Sequence, residues 1–211
     1  MKKNASSFMT EERFWDIIDQ SDKGYYLDRL LSSLSVEEIF GFIYWWRYFA
    51  AQTYRQDLWA VAYVVRGGCS DDSFDYFRSW LISQGKKIVY DAIENPDSLS
   101  EVFEDIVNAG QRLEPTDETV DSIPIIVLDD KTKEKGYYFN HINEYVMPAY
   151  PNDINFEWDE DNEESIRNVC PKTFDRWWNS PDNVISQEMA EFEKEKASTG
   201  FWGKLKSIFG K

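Results

Sequence analysis

Along the first half of the chain, apolar residues recur at intervals of three and four, the period of one helix face. Thr10 precedes Glu11 and Glu12, a cap followed by two acids suited to the positive end of a helix, and Phe14, Ile17 and Ile18 supply the buried stripe. Leu27, Leu30, Leu31 and Leu34 repeat at i, i+3, i+4 and i+7, which predicts a second helix. Ser35-Val36-Glu37-Glu38 has the form of a capping box, in which the serine and the glutamate three residues later satisfy each other's exposed amides. It opens a long helix with Ile39, Phe42, Ile43, Trp46, Phe49, Ala50 and Thr53 on one face. Tyr44, Trp45 and Tyr48 lie off that stripe and are expected to widen the buried arc, because exposed aromatic clusters are scarce on monomers.

Leu58 to Val65 is apolar on nearly every side and reads as a central helix, capped by Gly67 or Gly68 in the left-handed conformation. Ser70 then caps a helix with Asp71 and Asp72 in its first turn, Phe74, Phe77 and Leu81 inside, and Gly85 at its end. Ile88, Val89, Ala92 and Ile93 form the next stripe, stopped by Asn95-Pro96-Asp97. Ser98-Leu99-Ser100-Glu101 repeats the capping-box form and opens a helix ending at Gly110.

The texture changes after Gly110. A polar, Pro-interrupted stretch leads to Ile123-Pro124-Ile125-Ile126-Val127-Leu128, whose β-branched run predicts an edge strand, paired in a hairpin with Tyr137-Tyr138-Phe139. An acidic connection, Asp153 to Glu164, is followed by helical patterns from Glu164 to Trp178 and from Ser186 to Lys196. The expected fold is mainly α: one helical bundle domain over residues 10–180, with a small β-hairpin insertion at 123–139, then residues 181–211 as a C-terminal helix and a short amphipathic basic tail.

Composition narrows the function classes. Thirty-five aromatic residues (14 Phe, 12 Tyr, 9 Trp) in a chain of 211 argue for a folded core rather than disorder. The formal charge of −16 opposes nucleic acid and suits a basic protein partner or simple solubility. Cys69 and Cys170 lie far apart, and no signal-peptide pattern opens the sequence, so a reducing cytoplasm is expected. No apolar run approaches the roughly 20 residues that span a bilayer.

The order Tyr54-Arg55-Gln56-Asp57-Leu58-Trp59, Gly67-Gly68-Cys69-Ser70-Asp71-Asp72, Phe74, Tyr76-Phe77-Arg78, Trp80-Leu81-Ile82 and Asn95-Pro96-Asp97-Ser98-Leu99 resembles the signature of the bacterial domain-of-unknown-function family 4240. Phe14-Trp15 is similar to that family's start, and the resemblance covers about residues 10–109. It implies a small, mainly helical cytosolic domain and supplies no catalytic residues. The segment Ile123 to Phe139 and the C-terminal tail depart from the pattern.

Candidate chemistry gathers around the glycine turn. Cys69 is a thiol near a helix N-terminus, but adjacent aspartates raise its pKa and the sole histidine, His141, is remote in sequence; a small space-filling cysteine is the expectation. Asp71, Asp72 and Asp75 share one turn, which helix capping explains more simply than a cation does. Arg55, Asp57, Arg66 and Arg78 lie in an apolar region and should be paired, Arg78 or Arg55 with an aspartate that locks the two helices together. With Trp59 and Trp80 they make up the candidate ligand or structural network. The tail residues Phe201, Trp202, Leu205, Ile208 and Phe209 share one helical face, a candidate for contact with a partner or peripheral contact with a membrane.

No catalytic, cofactor or metal set is complete. The expected function is therefore a non-enzymatic interaction with a basic protein, in a narrower form an immunity or antitoxin-like role. The alternative is an enzyme or small-ligand protein with its site at Gly67 to Asp72.

Overall fold

A computed structural model of the chain describes residues 1–151 and 153–192. The fold is mainly α. Helix α1 (Glu11–Gln20) starts where Thr10 Oγ1 accepts a hydrogen bond from the Arg13 amide at 3.2 Å, and α2 (Leu27–Ser32) follows. The capping box at Ser35 is formed: its hydroxyl accepts from the Glu38 amide at 3.2 Å, while the Glu38 carboxylate accepts from the Ser35 amide at 2.7 Å. It opens α3 (Val36–Gln52).

Helix α4 (Gln56–Arg66) is the centre of the bundle, which explains why its sequence is apolar all round. Leu58, Ala60, Val61, Ala62, Val64 and Val65 are fully buried, and burying each larger side chain contributes about 1.5–3 kcal/mol. Gly67 ends the helix at φ +72°, and a Cβ there would meet Ile185 Cγ2 at 2.3 Å, so the C-terminal stretch packs directly on the cap. Ser70 caps α5 (Asp71–Ser83) by accepting from the Ser73 amide at 3.3 Å. Helices α6 (Lys86–Glu94) and α7 (Leu99–Asn108) complete the first half. Phe14 sits on Phe42 and Phe49, with ring centroids at 5.0 and 5.8 Å. Tyr44, Trp45 and Tyr48 do widen the buried arc: all are half-buried, and the Trp45 indole donates to the Met9 carbonyl at 2.8 Å.

Three expectations need correction. The segment assigned to a β-hairpin is helical, forming α8 (Ile123–Thr132) and α9 (Tyr137–His141). Pro124 lies in the first turn of α8, where its missing N–H costs nothing, and Pro124, Val127 and Leu128 are buried in contact with α2 and α3. Packing outweighs the weak β preference of the branched residues. What resembled a hairpin loop is a helix–helix joint: the Asp129 carboxylate accepts from the Gly136 and Tyr137 amides at 2.8 and 3.0 Å.

Ser98 does not form a capping box. It is already helical, at φ −63° and ψ −24°, at the end of the 3-10 turn Pro96–Ser98 that runs into α7. A cap oxygen needs the extended backbone that Asn95 has instead, and Asn95 Oδ1 accepts from the Asp97 amide at 3.3 Å. The pattern from Glu164 to Trp178 is two helices, α10 (Glu163–Val169) and α11 (Pro171–Trp177), because Cys170 precedes a proline and is driven out of the α region.

Residues 184–192 are helical. The remainder of the expected C-terminal helix and the tail candidates Phe201, Trp202, Leu205, Ile208 and Phe209 lie outside the described residues. The only strands among the described residues, β1 (Lys3–Asn4) and β2 (Tyr145–Val146), pair in parallel and bring the chain start against α3, where Tyr145 stacks on Phe40 at 3.9 Å. Among the described residues no helix is long and apolar enough to cross a membrane.

Candidate functional site

The structure divides the candidate residues of the glycine turn among three places. The first is a groove beside the turn. The Trp59 indole donates to the Cys69 carbonyl at 3.0 Å, tying α4 to the turn, and its ring stacks on Phe74 at 4.5 Å. Phe156 stands against Trp59 at 5.2 Å and 71°, and Trp158 against Phe156 at 5.3 Å and 87°. Tyr63 closes the row beside Trp158 at 5.3 Å. Trp158 is pinned by its own indole, which donates to the Gln56 carbonyl at 2.8 Å.

Trp59, Phe156 and Trp158, each edge-on to the next, and the tilted Tyr63 make the walls of an open box of about 400 Å³. Asp71, Asp159 and Glu160 line it with the four aromatics and Cys69, and among the described residues no Lys, Arg or His does. Burial, then the charges of Glu160 and Asp161, raises the phenol pKa of Tyr63. Burial also pushes the Cys69 thiol up to about 12, with Asp71 adding to the rise and Arg66 opposing it. At neutral pH the sulfur is a thiol and a poor nucleophile.

The second place is a strut. Arg55 makes a two-pronged ion pair with Asp57 and donates from Nη1 to the Ile93 carbonyl at 2.6 Å, joining the start of α4 to the end of α6. The third is Arg78, 3% exposed, which bonds Asp75 on its own helix and donates to the Ala50 carbonyl at 2.5 Å. Its guanidinium lies over the rings of Tyr54 at 4.9 Å and Tyr150 at 5.5 Å. Both arginines therefore have aspartate partners, as expected. The helices they lock are α4 to α6 and α5 to α3, not α4 to α5.

The other candidates are structural or isolated. Trp80 is buried against Phe77 and Phe103. Asp72 is exposed in the first turn of α5, and Arg66 is half-buried with Nε and Nη1 unpartnered. Among the described residues no three His, Cys, Asp or Glu side chains are grouped as a metal site would need. Sequence reasoning missed Tyr63, Phe156, Trp158, Asp159 and Glu160. The available signal was Phe156-Glu157-Trp158-Asp159-Glu160 itself, two large aromatics in an acidic connection that has no core of its own to fill.

These features define a helical domain with an aromatic, acid-rimmed groove at the end of its central helix. Residues 9–124 match the family described as Protein of unknown function (DUF4240). The match covers more than half of the chain, which belongs to that family. No curated protein and no solved structure matches the chain.

Proposed function

We propose that this protein is a non-enzymatic interaction module of the cytoplasm whose aromatic groove receives a cationic side chain from a basic protein partner. The observation that carries the reading is the box itself: near-perpendicular rings of Trp59, Phe156 and Trp158, with three carboxylates and, among the described residues, no cation in the lining. A cation facing such rings gains about 0.5–2 kcal/mol, more as it is desolvated. The formal charge of −16 steers a basic partner toward the surface, and the aromatics anchor it. An immunity-like protein neutralising a basic toxin is the narrower form of the same reading.

Titration with a lysine-rich peptide, followed by tryptophan fluorescence at low and physiological salt, tests it. Phe156→Ala leaves the charge unchanged and should weaken binding about tenfold, the equivalent of about 1.4 kcal/mol. Equal binding by wild type and Phe156→Ala would mean non-specific charge attraction and would sink the proposal.

A further inference from the structure

A second cavity, of about 280 Å³, lies where α3 and α5 face the segment from Asp121 to Tyr150. Its charges are unusual. Arg78 lines it but is committed to Asp75 and Ala50. Arg47, on α3, also lines it and has no carboxylate partner among the described residues. Among the described residues its one side-chain hydrogen bond goes to the Tyr138 hydroxyl at 3.2 Å, and its buried Nε has no acceptor. The Nε of the almost fully buried Arg78 is unpartnered as well.

Asp121, also in the lining, has no cationic partner among the described residues. Although much of Asp121 is exposed, its carboxyl pKa is raised, first by surrounding protein and then by Asp117 and Asp75, despite an opposing backbone hydrogen bond. One charge of each sign without an ion-pair partner among the described residues therefore faces a single cavity, between walls that include Trp46, Pro124 and Ile125. Arg47 is half-buried, and a buried guanidinium N–H without an acceptor is costly; a ligand that supplies one removes the cost.

We propose that this cavity binds a small amino-acid-like zwitterion with an apolar side chain, its carboxylate toward Arg47 and its ammonium group toward Asp121. A simple anion would satisfy Arg47 and face the two aspartates; a simple cation would do the reverse. The volume lies at the lower edge of the roughly 300–1,000 Å³ of drug-sized sites and so matches a single metabolite rather than a peptide. The site is separate from the aromatic groove, and the inference does not depend on the proposed partner.

Calorimetric titration of the full chain with L-leucine, with 4-methylpentanoate and with isoamylamine tests it, since the last two each keep one charge. L-leucine should bind, and each single-charge compound should bind at least about tenfold more weakly. Arg47→Met and Asp121→Asn should each weaken L-leucine binding at least about tenfold, with Ser98→Ala, which lies outside both this cavity and the groove, as the unaffected control. Should Arg47→Met fail to fold, Asp121→Asn, in an exposed position, carries the test alone. No binding of L-leucine up to about 10 mM, equal binding by a single-charge compound, or unchanged binding by Asp121→Asn overturns the proposal.

Discussion

The helices up to Asn108 and the segment from Ile123 onward hold to each other by different means. The first region is a bundle whose stripes interlock continuously around α4. The second, most of it beyond the family match, wraps that bundle: α8 packs on α2 and α3, α11 packs on α4 and α7, and individual side chains tie the two regions further. Tyr145 stacks on Phe40, the Trp158 indole bonds the Gln56 carbonyl, and the Trp177 indole bonds Ser100 Oγ at 3.1 Å. Asp97 reaches from the bundle to the first amides of α11, accepting from Lys172 at 2.8 Å and Thr173 at 2.7 Å. Wrap and bundle share one buried cluster, so single substitutions at the side chains that join them should tell whether the wrap is part of the folding unit.

The largest effect is expected at Trp177, which is fully buried, edge-on to Phe103 at 6.0 Å and covered by the Arg176 guanidinium at 4.1 Å. Trp177→Ala should cost about 3–5 kcal/mol of stability in urea unfolding while keeping one cooperative transition. A loss under about 1 kcal/mol, or a separate early transition, would show the wrap to be an independent flap. Next comes Asp97, buried in the Asn95-Pro96-Asp97-Ser98-Leu99 motif. Asp97→Ala leaves two amides of α11 without their charged acceptor and should cost about 2–3 kcal/mol, with Asp97→Asn milder because one acceptor oxygen remains. Indistinguishable melting of Asp97→Ala and wild type would remove this anchor from the account.

The same contrast explains what was legible. Each bundle helix carries its own period and its own stop signal, so α1 to α7 could be placed from local sequence alone. The wrap is decided by its neighbours. Ile123 to Leu128 has no helical stripe of its own and becomes helical where α2 and α3 cover Pro124, Val127 and Leu128. The candidate site was half visible for a related reason: Trp59, Cys69 and Asp71 stand in the family motif, while Phe156 and Trp158 arrive from the acidic connection. Arg47 gave no signal, because an arginine off the apolar stripe of a long helix resembles any surface cation until its neighbours are known.

Two serines with the same sequence pattern measure that difference directly. Ser35 closes a capping box, whereas the Ser98 side chain caps nothing. Ser35→Ala should cost about 1 kcal/mol and Ser98→Ala within about 0.5 kcal/mol, read from unfolding midpoints at constant slope. Equal costs would mean that capping is not what separates them.

The smallest effect concerns pH and belongs to the wrap alone. His141, at the end of α9, has Nδ1 2.8 Å from Glu144 Oε1 and Nε2 3.5 Å from Glu134 Oε1. The hydrogen bond with Glu144 first, and the one with Glu134 after it, raise the imidazole pKa above its ordinary 6.5. The folded state thus holds the proton more tightly than the unfolded chain does. Its contribution is complete below the unfolded pKa and fades as pH rises through the folded one. Because the chain has one histidine, a single imidazole resonance reports the titration, and its midpoint should lie above 6.5. His141→Asn should flatten that part of the stability–pH curve and leave amide shifts in α4 and α5 unmoved, since the interacting groups all lie on α9 and the turns flanking it. A midpoint at or below the ordinary value would place His141 outside the carboxylate pair. Titration shifts spreading into α4 would instead show that the packing shared by the wrap and the bundle transmits local change from α9 into the central helix.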